Sequence, residues 1–440
     1  MLLGMRLAIT SDIHLGDPHG ALVVPTRTGY AIGPRYEELA AALGAGLDHL
    51  ILAGDVLEIM LSSYVEAYKA ARVFFRQLAD DGITRDVVLI AGNHDFEVWH
   101  TVEHEVNVIN RVRRGLDPRP FRWSVPGVID DRADAPRRGL SLPDVDPSEG
   151  GSGHYGGLFF DGIADPPGHG GDHRLRFAFA YPNLYLVTAT GETVVVTHGH
   201  YFESYWSLLS NLAMRVVRED LALDPRNRER AALTMRELVA INFPLTQLTS
   251  SGLGQSGPLS AVVNHLQRDV ERRQFGRVES LLTQLLPAFA SGSSWYLERL
   301  ARLASAALST RVVRSLRDHQ SGAFADDLAH HGGTRARFLQ FFDATLDEVD
   351  RLLEEHRIHV PPPRHLIFGH THQPHGWREG KKWIEPRSGI EIHNTGGWVK
   401  LREGDDGWRF PGAEVFRYST EDGMSSVSIG RGAGSTLAAA

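Results

Sequence analysis

Nine side chains able to bind a metal or move a proton stand in five short blocks of the sequence. They are Asp12 and His14, Asp55, Asn93 and His94, His198 and His200, and His370 and His372. Carboxylate oxygens, imidazole nitrogens and one amide oxygen form a mixed hard and borderline donor set. Such a set suits Mn²⁺, Fe or Zn²⁺ better than Ca²⁺, which wants only oxygens, or Cu(I), which wants sulfur. Asp12 and His14 are two residues apart, and His370 and His372 repeat that spacing. A chain leaving a strand at such a point can turn both side chains towards one ion. A carboxylate lying between two ions can bridge them, and Asp55 is the natural candidate.

The elements that must position these residues are legible as short apolar runs, each followed by a polar block. Arg6–Thr10 precedes Ser11-Asp12, His49–Ala53 precedes Gly54-Asp55, and Asp86–Ala91 precedes Gly92-Asn93-His94-Asp95. Thr193–Thr197 precedes His198-Gly199-His200, and His365–Phe368 precedes Gly369-His370-Thr371-His372. Runs of four to six apolar or β-branched residues ended by Gly predict buried strands. Helical patterns over Arg35–Leu47 and Tyr64–Asp81 alternate with them, which predicts a layered α/β fold. Polar groups in such sheets gather at the carboxyl ends of the strands.

Two segments break the rhythm. Residues 126–175 are dense in Gly, Pro, Asp and His and are expected to be an irregular insertion. Residues 203–356 show no convincing strand. They carry helical patterns near Tyr205–Leu221, Arg226–Ile241, Leu259–Leu286, Trp295–His319 and Arg335–His356. The expected organisation is a core over 1–125, 176–202 and 357–422, the two insertions, and a flexible tail over 423–440. The helical insertion opens directly after His200 and closes before the strand leading to His370. It is therefore expected to act as a cap, with Trp206, Leu209, Leu212 and Met214 suited to a bulky or apolar part of a substrate.

Composition narrows the class of function. The 440 residues are 42% hydrophobic and 23% charged, as in a soluble globular protein. A net charge of −8 disfavours a protein built to coat nucleic acid. The absence of cysteine excludes disulfides, Cys-ligated zinc, iron–sulfur clusters and thiol nucleophiles. No apolar run approaches the roughly 20 residues of a membrane span. Met1–Thr10 lacks the apolar stretch of a signal peptide, so the cytoplasm is the expected compartment. Oligomeric state is not legible.

The five blocks together, in this order, resemble the calcineurin-like metallophosphoesterase superfamily. The resemblance covers roughly residues 5–125, 180–200 and 360–420. It implies a four-layer α-β-β-α sandwich of two mixed sheets, with the large helical segment as an insertion and a dinuclear metal centre at one edge. It further implies that Asp12, His14 and His372 hold one metal, that Asn93, His198 and His370 hold the other, and that Asp55 bridges them. The ions would be two divalent transition metals, Mn²⁺ first and Fe or Zn²⁺ as alternatives. Two cations roughly 3.5–4 Å apart acidify a shared water and clamp phosphoryl oxygens while the resulting hydroxide attacks in line. His94 would stabilise the transition state or protonate the leaving oxygen, with Asp95 orienting it and His200 contacting substrate.

Details separate members of the superfamily. The stretch Gly54-Asp55-Val56-Leu57-Glu58-Ile59-Met60 lacks the phosphate-binding Arg usual in protein Ser/Thr phosphatases. Ser11-Asp12-Ile13-His14-Leu15-Gly16, Gly54–Glu58 and His370-Thr371-His372-Gln373-Pro374 are similar to UDP-2,3-diacylglucosamine pyrophosphatases. Those enzymes are shorter and commonly carry Arg where His94 stands. The resemblance thus implies hydrolysis of a phosphodiester, phosphomonoester or pyrophosphate bond in a small phosphorylated substrate. A nuclease, or a non-catalytic partner-binding scaffold on the same fold, remains the alternative.

Other features have plainer readings beside functional ones. His100 and His104 share a helix face at i, i+4 and read as a solvated or hydrogen-bonded face before a further metal pair. His154, His169 and His173 belong to the Gly-rich insertion. Arg311, Arg314 and Arg317 form a basic stripe that reads as a solvated face, with peripheral membrane contact as the alternative.

Overall fold

The computed structural model describes residues 4–135, 138–146, 155–164, 175–202, 233–250, 328, 332–377, 382–403 and 407–430. The helical stretches expected near Tyr205–Leu221, Leu259–Leu286 and Trp295–His319, the arginine stripe, and His154, His169 and His173 lie outside these residues. The chain divides into two compact units. One comprises Met1–His200, Ala232–Ala240 and Phe341–Ala440, and the other Tyr201–Ala231 and Ile241–Gln340.

The first unit holds two mixed sheets. One contains β1 (Arg6–Thr10), β4 (His49–Ala53), β5 (Asp86–Ile90), β8 (Arg176–Ala180), β16 (Ala413–Ser419) and β17 (Gly423–Ile429), in the order β17-β16-β1-β4-β5-β8. The other contains β6 (Gly127–Asp130), β7 (Gly139–Ser141), β9 (Asn183–Val187), β10 (Thr193–Thr197), β11 (His365–Phe368), β12 (Trp383–Ile384) and β13 (Glu391–Asn394), in the order β12-β13-β11-β10-β9-β6-β7. Two small hairpins, β2 (Val23–Thr26) with β3 (Gly29–Ile32) and β14 (Leu401–Glu403) with β15 (Gly407–Arg409), complete the strands.

Strand alternation explains the stacking of the sheets. Leu7 and Ile9, Ile51 and Ala53, and Val88 and Ile90 from one sheet meet Leu184 and Leu186, Val194 and Val196, and Ile367 from the other in one buried cluster. The alternate residues face helices. Helix α1 (Tyr36–Leu43) and helix α2 (Tyr64–Asp80) flank the first sheet. Ser63 caps α2 by accepting from the Glu66 amide at 3.2 Å, and its inner stripe is Ala67, Ala70, Ala71, Phe74, Phe75 and Leu78. Phe75 meets Phe177 of β8 edge-on at 5.0 Å. Helix α3 (Phe96–His104) runs on through a π turn, Glu105–Ile109, into α4 (Asn110–Arg113), and α5 (Gly157–Ala164) lies against β8.

Helix α6 spans Met235–Ser250 and helix α7 spans Gly332–His356. In the first unit, Glu348 of α7 accepts from Tyr185 at 2.7 Å and from Asn183 at 3.1 Å, both on the outer face of β9. Helices therefore cover the outer face of each sheet, giving the α-β-β-α sandwich. No helix among the described residues is long and apolar enough to cross a membrane.

Two stretches differ from their sequence expectations. The segment over 126–175 contains β6, β7 and α5. Strands of three or four residues are too short to show a period, and pairing with β9 supplies what local propensity lacks. Residues 423–429 of the expected tail form β17, antiparallel to β16 over its full length. Ser425, Ser426 and Ser428 hide that strand from a search for apolar alternation.

Candidate metal centre

Strand register gathers the five blocks at one edge. Thr10 pairs with Leu52 and Ala53 with Ile90, so the carboxyl ends of β1, β4 and β5 lie side by side. Val196 pairs with Ile367, which aligns the ends of β10 and β11 in the other sheet. The edges are stitched together, with the His370 amide donating to Asp12 Oδ1 at 2.9 Å and His198 Nδ1 lying 3.1 Å from the Ala53 carbonyl oxygen.

At those ends the backbone enters a conformation that side chains other than Gly and Asn resist. Asp12, His14, Asp55, His370 and His372 have φ of 53°, 50°, 51°, 66° and 54°. Among the described non-glycine residues only Arg357 shares this left-handed region. Such residues cost of order 1–3 kcal/mol each and persist where the surrounding structure enforces them. Glycines supply the space. A Cβ at Gly92 would collide with the Asp55 carboxylate, and one at Gly369 would collide with the Asp12 carboxylate.

Two donor groups lie here, Asp12, His14 and His372, and Asp55, His198 and His370, and His14 also joins Glu58 and His94 in a third. His372 Nε2 stands 3.2 Å from Asp12 Oδ1, and His198 Nε2 stands 3.1 Å from Asp55 Oδ2 and 3.0 Å from Asn93 Oδ1. Asp55 Oδ2 also lies 3.8 Å from His14 Nε2, so this carboxylate touches both groups. His14 Nε2 is buried with no hydrogen-bond partner. A buried nitrogen aimed at carboxylates, amid a set of imidazoles, carboxylates and one amide oxygen, fits divalent transition metals.

Glu58 organises the histidines beside this centre. It is fully buried, and its Oε2 lies 2.8 Å from both His14 Nδ1 and His94 Nδ1. Each ring is thereby held with Nε2 turned inward, and His94 Nε2 reaches 4.0 Å from Asp55 Oδ2. Burial disfavours the Glu58 charge, but His94 and His14 outweigh it and hold the group at about 2. Burial likewise opposes protonation of His94, yet Glu58 and Asp55 raise it to about 10. His198 rises to about 9 against burial, through Asp55. Asp55 falls well below the usual carboxylate range because His198 and His94 overcome its burial.

Each residue of the five blocks has a definite place. Asp12, His14, Asp55, Asn93, His94, His198, His370 and His372 converge as described. The Asp95 carboxylate is occupied by backbone: it accepts from Gly92 N at 2.6 Å and from Val56 N at 2.7 Å, tying the β5 loop to the β4 loop. The partner of His94 Nδ1 is thus Glu58, since Asp95 turns away. His200 is buried, its ring 5.5 Å from His198 and 6.3 Å from His370. His100 packs edge-on against Phe121 at 4.5 Å and His104 is exposed, and neither joins a donor cluster among the described residues.

Two contributors escaped the sequence reading. Glu58 lies in the second block, three residues after Asp55, and its acidic side chain amid apolar neighbours was the available signal. Asn394, at the end of β13, donates to the Gly369 carbonyl at 2.8 Å and to Thr371 Oγ1 at 3.0 Å, fixing the loop that carries His370 and His372. Nothing in its local sequence marks it.

Comparison with known proteins bears on the same residues. A family model described as calcineurin-like phosphoesterase matches residues 5–229, just over half of the chain. The match takes in Asp12, His14, Asp55, Asn93, His94 and His198, while His370 and His372 lie beyond it and join through the geometry above. No curated protein matches the chain.

Proposed function

The chain belongs to the calcineurin-like phosphoesterase family and is accordingly a metal-dependent phosphoester hydrolase, and from that premise we propose a two-metal reaction on a small phosphorylated substrate. Asp12, His14 and His372 would hold one divalent cation, Asn93, His198 and His370 a second, and Asp55 both. Mn²⁺ is the first candidate, with Fe or Zn²⁺ next. When bound, the cations supply a hydroxide nucleophile from water near neutral pH and positive charge for the phosphoryl oxygens.

The observation that carries this reading is the convergence of five left-handed ligand positions, among them Asp55, whose carboxylate belongs to one donor group and lies 3.8 Å from His14 of the other. The remaining work falls to the chain's own residues. Glu58 holds His94 by Nδ1 and favours its protonated form, so Nε2 can carry a proton into the site. That proton can pass to the leaving oxygen as the phosphorus–oxygen bond breaks, or its charge can meet the transition state. Glu58 equally fixes His14, so one buried carboxylate sets the geometry of a metal ligand and of the acid.

The test is turnover by the full chain with Mn²⁺ on bis-p-nitrophenyl phosphate, p-nitrophenyl phosphate and a nucleotide-sugar pyrophosphate. Metal-dependent hydrolysis of at least one, abolished by a chelator, is the expected result. No turnover of any would overturn it, and the relative rates assign the diester, monoester or pyrophosphate preference.

A further inference from the structure

A second group of donors lies at the other end of β11. His365 opens that strand and pairs in register with Glu391, the first residue of β13. His393 follows Glu391 by two, so strand alternation returns it to the same face. The three side chains meet over the pair. His365 Nδ1 faces His393 Nε2 at 3.4 Å, Glu391 Oε1 lies 3.9 Å from His393 Nε2, and Glu391 Oε2 lies 4.0 Å from His365 Nδ1. Trp377 walls the group, its ring 4.3 Å from each imidazole. His393 is almost wholly buried, whereas His365 and Glu391 are 15% and 14% exposed in their side chains, which leaves a route from solvent.

The spacing carries the argument. A separation of 3.4 Å is long for a hydrogen bond between nitrogens. Two nitrogens each about 2.0–2.1 Å from a tetrahedral zinc stand about 3.3–3.4 Å apart. Two imidazoles and one carboxylate, with a fourth position towards solvent, form a donor set used for zinc and for ferrous iron. Lys382 Nζ holds Glu391 Oε2 at 2.8 Å, so a cation already occupies one side of the carboxylate and Oε1 stays turned to His393.

We propose that His365, Glu391 and His393 form a further divalent transition-metal site, of the zinc class, separate from the catalytic centre. The strand itself separates them: His365 and His370 flank β11, on the order of 15 Å apart at strand rise. A metal here would clip β11 to β13 and steady the strand that delivers His370 and His372. Lys382 would then act as a competitor that weakens the site.

The experiment strips the full chain with a chelator, reloads it with Zn²⁺, removes excess and counts zinc by elemental analysis. His365→Gln and Glu391→Gln should each carry one zinc fewer per chain than wild type. Mn²⁺-dependent hydrolysis of bis-p-nitrophenyl phosphate should stay within about twofold, as for changes remote from a site. Equal zinc in all three proteins would overturn the proposal. The difference is the readout, so failure of the catalytic reading would alter the total and leave this difference standing. Lys382→Met changes a half-exposed side chain, which keeps the test available should a ligand variant misfold. Losing a like charge about 4 Å away should tighten zinc binding roughly five- to tenfold in competition with a chromophoric chelator. Unchanged affinity in that variant would count against the site.

Discussion

Burial acts on histidines at both ends of β11 and leaves them in opposite states. At the carboxyl end, burial opposes charge, but neighbouring carboxylates carry His94 to about 10 and His198 to about 9. At the amino end, burial and the proximity of His365 push His393 down to about 3, and burial lowers His365 as well. The difference lies in the company each ring keeps. Asp12, Asp55 and Glu58 are all buried among the histidines of the candidate metal centre. At the other pair Glu391 and Glu192 act on His365, but Lys382 and Arg364 oppose them and burial prevails. The same side chain thus favours its charged or its neutral form according to how many carboxylates are sealed in with it.

The comparison breaks first at Asp55, where the largest effect is expected. Asp55→Asn removes the carboxylate that would bridge the two metals and the charge that raises His198 and His94. Activity should fall by more than the roughly 10²–10⁴-fold of an acid–base residue. Metal content of the Mn²⁺-loaded protein should fall with it, and a variant keeping both metals and full turnover would end the bridging assignment. His94→Ala comes next, with a loss of about 10²–10⁴-fold and metal content retained. If His94 donates a proton, the loss should shrink for p-nitrophenolate, a good leaving group, and grow for a simple alkoxide. Equal losses would assign it to charge stabilisation.

Glu58→Gln sharpens the contrast by bringing the catalytic end closer to the other. The amide can still accept from one ring but carries no charge. Groups behind metal ligands are typically worth about 10–100-fold. The pH profile is more telling. Glu58 raises His94, so its loss lowers the pH at which His94 gives up its proton. The alkaline limb of kcat for a poor leaving group should therefore move to lower pH. An unmoved limb would show that Glu58 is not the source of the His94 charge.

What could be read from sequence divides along the same line. The catalytic blocks are legible because each depends on residue identity at the end of an apolar run, and register then does the assembly. Asp12-x-His14 and His370-x-His372 announce themselves in three residues each. Glu58 does not, because its role needs the turn set by the left-handed Asp55, which brings the carboxylate under two rings from other loops. Adjacency made Asp95 the natural partner of His94, but the tight loop spends that carboxylate on the amides of Gly92 and Val56. The group of His365, Glu391 and His393 is invisible in one dimension. It exists only once β11 pairs with β13, and β13 reads Glu-Ile-His-Asn, with no motif. Fold class followed from strand–helix alternation, while β6, β7 and β17 needed tertiary pairing to exist at all.

The smallest expected effect tests the amino-end pair through folding stability. His393 is lowered from 6.5 to about 3, chiefly by burial. The unfolded chain therefore takes up a proton near pH 6.5, while the folded chain resists until about pH 3. Stability from this group is full above 6.5 and is lost as pH falls towards 3, with His365 acting in the same direction. At pH 5.5 the loss amounts to about 1.4 kcal/mol, roughly tenfold in the folding equilibrium. His94 and His198 have the opposite sign: their raised values favour the folded state below 6.5 and lose that advantage as pH climbs towards 9 or 10. Chemical denaturation in a chelator at pH 7.5 and 5.5 separates the two contributions. Wild type should lose more stability across this interval than His393→Gln, by about the same 1.4 kcal/mol, whatever the variant's absolute stability. Parallel losses in the two proteins would mean that His393 takes up its proton in the folded chain, and that Glu391 reaches it despite Lys382.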